Sequence, residues 1–66
     1  MKMNNEKPIA KLIGQNGNVY NLIAICSKAL REVGQADKAK EMQEKIYKCK
    51  SYDEALVIMM EYCEVE

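Results

Sequence analysis

Two pieces of punctuation divide most of this chain into helices. Gly34 follows one apolar stripe of helical spacing, and Ser51-Tyr52-Asp53-Glu54 precedes another. A glycine just past a helix end enters the left-handed region without a Cβ penalty and stops the helix. Ser-x-x-Glu is a capping box: the Ser51 oxygen accepts from the Glu54 amide while the Glu54 side chain reaches back to Ser51. The spacing predicts a first helix over 22–33, capped by Asn21. Leu22, Ile23, Cys26, Ala29, Leu30 and Val33 share its inner face, opposite Ser27, Lys28 and Arg31. A second helix runs over 36–50 on a narrow stripe of Ala39, Met42, Ile46 and Cys49. Its other side carries the i,i+4 pairs Lys40–Glu44, Glu41–Lys45 and Glu44–Lys48, which marks it as solvent-facing. A third runs over 52–63, with Tyr52, Ala55, Leu56, Met59, Met60 and Cys63 inward. Val57 and Ile58 fall near its opposite face, among Asp53, Glu54 and Glu61, and make that face more apolar than a solvated helix needs.

What precedes the helices reads as strand. Pro8 opens the extended run Ile9-Ala10-Lys11-Leu12-Ile13, and Asn16-Gly17 separates it from Val19-Tyr20. Asn-Gly between apolar runs signals a type I′ hairpin, here pairing Gln15 with Asn18, Gly14 with Val19 and Ile13 with Tyr20. So short a hairpin must lean on the helices. The tail Glu64-Val65-Glu66 either frays or adds a strand at the hairpin edge. Residues 1–7 are a flexible lead without periodicity, and 8–66 form one small domain. The expected class is α+β: an N-terminal β-hairpin packed on three short helices, in the order ββααα.

The residues that are missing narrow the chemistry. The 66 residues include no His, Trp or Phe. Without imidazole the commonest general base near neutral pH is absent, so Ser27, Ser51 and the thiols have no such activator and an enzyme is not expected. Cys26, Cys49 and Cys63 are an odd set whose spacing fits neither a disulfide framework nor a paired zinc motif. Each lies on an apolar stripe as a small hydrophobe, so no metal or other cofactor is expected. Gly14-x-x-Gly17 lacks the third glycine or Lys-Ser/Thr of a phosphate loop. No apolar run approaches a membrane span, and no secretory signal opens the sequence. The expected setting is cytoplasmic.

Ten basic and ten acidic residues cancel over the whole chain, but they are segregated. Residues 1–50 hold ten bases and five acids, a charge of +5, whereas 51–66 hold five acids and no base, a charge of −5. The acidic end suits docking on a basic partner surface or on a second copy. Lys38, Lys40, Lys45 and Lys48 form a candidate basic face on the second helix, the basis of an alternative nucleic-acid reading. Asp37, Glu41 and Glu44 interleave with them and Arg31 is the only arginine, so direct base readout is disfavoured. A third reading is a small-ligand or nucleotide-sequestering pocket at a subunit interface, contacted by Lys11, Asn18 and Tyr20.

The expected core is Ile9, Ile13, Tyr20, Leu22, Ile23, Cys26, Leu30, Val33, Met42, Ile46, Leu56, Met59 and Cys63. These are mid-sized side chains, and a core of this size barely offsets ordering entropy. Assembly is the remaining source of stability. A homodimer or a protein-partner complex is expected, with Val57, Ile58, Met60, Glu61 and Tyr62 as the candidate interaction surface.

The pattern Lys11-Leu-Ile-Gly14-x-x-Gly17-Asn18-x-Tyr20-x-Leu22, then Ala29-Leu30-Arg31-x-x-Gly34, then Ser51-Tyr52-Asp53-Glu54-Ala55-Leu56 and Tyr62 covers nearly all of the chain after Lys7. It resembles a widespread family of short uncharacterised bacterial proteins often found in phages, plasmids and other mobile elements. The resemblance implies a small accessory protein of a mobile element, of a kind that acts on host machinery. It carries over no catalytic or ligand residue.

Overall fold

The computed structural model describes residues 7–66, and residues 1–6 of the expected flexible lead lie outside the described part. Strand β1 (Ile9–Ala10) is followed by helices α1 (Val19–Glu32), α2 (Ala36–Lys48) and α3 (Tyr52–Tyr62), and strand β2 (Glu64–Val65) closes the chain. This is a small α+β domain with the three helices expected. α1 packs against both α2 and α3, β1 lies on α1, and β2 adjoins α3.

The strand partner is where structure and expectation part. The expected Asn16-Gly17 hairpin is not formed: β1 pairs in parallel with β2, Ile9 opposite Glu64 and Ala10 opposite Val65. The Glu64 amide donates to Pro8 O at 2.8 Å and the Glu66 amide to Ala10 O at 2.9 Å. The Glu66 carbonyl in turn accepts from the amides of Leu12 and Ile13. The element order is therefore βαααβ, with the tail supplying the second strand.

The physical reason lies in the asparagines. Asn18 Oδ1 accepts from the Tyr20 amide at 2.8 Å and caps α1, so the helix begins three residues before Leu22 and absorbs Val19 and Tyr20. Asn16 Oδ1 accepts from the Asn18 amide at 2.9 Å, and the Asn21 side chain donates to Asn16 O at 3.0 Å. The polar run thus builds a helix entrance. The chain reverses instead at Leu12–Gln15, where the Gln15 amide donates to Leu12 O at 3.1 Å and Gly14 sits at φ +86°. Positive φ at the third position of such a turn requires glycine.

Gly34 acts as expected, and Ser51 supplies its half of the capping box. Gly34 lies at φ +78° just beyond the end of α1, and Ser51 Oγ accepts from the Glu54 amide at 3.1 Å. The expected inward residues Leu22, Ile23, Cys26, Leu30, Met42, Ile46, Met59 and Cys63 are buried, and Leu56 is half-buried. Ile9, Ile13, Tyr20 and Val33 are exposed, Ile13 to 81%. Strand alternation allows one face inward, and pairing with β2 selects Ala10 and Leu12 for it. Ser27, expected on the outer side of its helix, is buried against α2 and accepts a 2.8 Å hydrogen bond from Gln43 Nε2. This bond meets the need of a buried hydroxyl for a partner.

Candidate interaction surface

The inner stripe of α3 is filled by Ala55, Met59 and Tyr62. At 3.6 residues per turn, the positions on the far side of these are Asp53, Val57, Met60 and Glu61. Val57 and Met60 are 52% and 48% exposed although both are apolar. Ile58, half-buried at the flank, joins Asp53, Glu54 and Val57 around a shallow depression of about 270 Å³. The capping serine places Asp53 and Glu54 in the first turn of α3, where the helix dipole favours carboxylates. The helix thus presents an apolar ridge beside a row of carboxylates. Lys7 reaches its far end, donating from Nζ to Met60 O at 2.9 Å, a cation on the carbonyl-rich terminus.

Tyr62 departs from its expected place on that surface. Its ring is buried, and its hydroxyl donates to Glu41 Oε2 at 2.5 Å. This hydrogen bond holds the Glu41 carboxyl below the usual carboxylate range, helped to a smaller degree by Lys38 and Lys45. Burial, reinforced by the Glu41 carboxylate, pushes the Tyr62 phenol up. Lys45 Nζ sits 5.2 Å from the Tyr62 ring centre and 3.8 Å from Glu61 Oε1. The contact with Tyr62 raises the Lys45 ammonium first, with Glu61 and Glu41 adding to it. Members of the two surfaces expected from the sequence therefore meet each other at the α2–α3 seam. Val57, Ile58 and Met60 remain as the outward apolar group.

The candidate basic face spreads over an arc of about 160° on the exposed side of α2. Lys38 and Lys40 lie about 160° apart around the helix axis, and Lys45 is engaged at the seam. Lys48 and Lys40 are exposed with Asp37 and Glu44 between them. Of Lys11, Asn18 and Tyr20, the Asn18 oxygen is committed to the cap of α1 and Tyr20 lines a groove.

Sequence reasoning missed a second concave feature. A groove of about 370 Å³ opens between the start of α1, the end of α2 and the start of α3, walled by Tyr20, Tyr47, Tyr52, Ile46 and Lys50. The Tyr52 hydroxyl donates to Gly17 O at 2.5 Å and fixes one wall. Three tyrosines from three elements carry no common spacing, so only the helix arrangement brings them together.

Among the described residues no group of three His, Cys, Asp or Glu side chains is placed to hold a metal ion. None of the described helices is long and apolar enough to cross a membrane. Comparison of the chain with protein-family models, with curated proteins and with solved structures finds no match.

Proposed function

We propose that this protein is a non-enzymatic interaction module that docks a basic protein surface on the outward face of α3. The observation that carries the reading is the half-exposure of Val57 and Met60 on a helix whose inner stripe already fills the core. Scattered apolar residues on a surface need no explanation. Here, however, two share one helix face with a depression beside them and Asp53 and Glu54 on its rim. Apolar anchors supply affinity once water is excluded, and the carboxylates select for positive charge and speed the encounter. A small accessory regulator or inhibitor that works by occupying a partner, in keeping with the resemblance to mobile-element proteins, fits this arrangement. A second copy of the chain is the other occupant to test, since its own α2 carries lysines.

The test is an NMR titration of the labelled protein with a lysine–leucine amphipathic helical peptide, matched against a glutamate–leucine peptide. Shifts clustered on Asp53, Val57, Met60 and Glu61, seen only with the basic peptide, support the reading. Equal shifts with both peptides, or none with either, contradict it. Light scattering of the free protein decides whether a second copy takes the face.

A further inference from the structure

Three cysteines at unhelpful spacings become two different things once folded. Cys49 stands apart in the turn between α2 and α3, half-buried, its thiol directed at Ser51 O at 3.5 Å. Cys26 on α1 and Cys63 at the end of α3 are both buried and face each other across 37 residues of sequence. The Cys63 thiol donates to Cys26 O at 3.7 Å, which sets the Cys63 sulfur against the backbone of Cys26.

We propose that Cys26 and Cys63 form a reversible dithiol–disulfide site that reacts with small-molecule disulfides of the glutathione class. The two thiols are not equivalent. The hydrogen bond from Cys26 favours the thiolate of Cys63, with the Lys7 charge adding a smaller effect. Cys26 is pushed strongly upward by that same interaction and by burial. Cys63, in the extended segment at the end of α3, is placed to attack first, and Cys26, held within α1, to resolve.

Access comes from the segment that follows α3. Cys63 lies in extended backbone where α3 gives way to β2, and β2 is only two residues long. The pairing of β2 with β1 rests on few backbone hydrogen bonds, and local opening of so short a pairing is the route by which a disulfide reaches the sulfur.

In the first step the Cys63 thiolate attacks one sulfur of oxidised glutathione. The glutathione S–S bond breaks, one glutathione thiolate leaves, and a mixed disulfide forms on Cys63. In the second step Cys26 attacks the Cys63 sulfur, its proton passes to the departing second glutathione thiolate, and the protein disulfide closes. Two protein thiols are oxidised, and one oxidised glutathione becomes two reduced ones. The bridge ties β2 and the end of α3 to α1.

The experiment uses the full chain with Cys49→Ser, folded in mildly alkaline buffer and treated with oxidised glutathione. Intact mass is expected to fall by about 2 Da, with Cys26 and Cys63 joined in a non-reducing peptide map and the change reversed by a thiol reductant. The melting midpoint should rise by more than about 5 °C on closure. Adding Cys26→Ser should stop the reaction at a glutathione adduct on Cys63. An unchanged mass in a chain shown by circular dichroism to be folded overturns the proposal. So does an adduct that persists on Cys63 while Cys26 is present.

Discussion

The Tyr62 hydroxyl and the Glu41 carboxylate, 21 residues apart, share a hydrogen bond of 2.5 Å that fastens α3 to α2. Tyr62→Phe keeps the buried ring and removes the hydroxyl that makes this bond. The Glu41 carboxyl is held below its ordinary value by the bond, so the stabilisation is present above the usual carboxylate range. It is lost as pH falls through the lowered folded value. Thermal melts should place Tyr62→Phe below the wild type at neutral pH, and the gap should narrow as the solution is acidified towards about pH 3. A gap that stays constant over that range would contradict the assignment.

This seam also shows what the sequence can and cannot carry. Gly34 and Ser51 were legible because caps and terminators act within a few residues, and both behave as local chemistry dictates. The helical stripes placed Leu30, Met42 and Met59 inside, since periodicity alone orients a face. The pairing of β1 with β2 joins residues more than fifty apart, and no local pattern encodes it. Asn16-Gly17 favours a hairpin only when a second strand is available, and the Asn18 cap claimed those residues for α1. On α3, Val57 was readable as outward, whereas Met60, assigned to the inner stripe as well as to the interaction surface, is 48% exposed. Tyr62 turns in with Ala55 and Met59 at spacings of four and three, and Glu41 gives its hydroxyl a partner at the helix seam.

The register of β1 gives a direct contrast. Leu12 is buried and Ile13 is 81% exposed. Leu12→Ala should cost about 2 kcal/mol or more, the range for a truncated core leucine. Ile13→Ala should stay within about 0.5 kcal/mol, as expected of a surface position. Urea unfolding of the two variants reads the difference, and equal losses would restore the inward Ile13 that the hairpin requires.

At Gly34 the cost of a side chain is conformational, because φ is +78° and no heavy atom lies within 4 Å of an added Cβ. Gly34→Ala should destabilise by about 1–2 kcal/mol. Gly34→Asn should recover much of that loss, since asparagine tolerates the left-handed region better. Thermal unfolding monitored by circular dichroism distinguishes them.

The cap on α3 predicts a graded series. Ser51→Ala removes the acceptor for the Glu54 amide and should cost about 1 kcal/mol, while Ser51→Gly should cost only a few tenths. Denaturant midpoints that fall in the order serine, glycine, alanine check it.

Docking through α3 is tested most directly by the affinity of a basic amphipathic peptide for three forms of the chain. These are the wild type, the double variant Val57→Ser/Met60→Ser, and a control with the equally exposed Val33→Ser. The wild type and the control should bind alike, with affinity falling as salt is raised. The double variant should bind at least about tenfold more weakly, the equivalent of roughly 1.4 kcal/mol. Equal affinity for all three forms, with each shown to be folded, would contradict the assignment of this face.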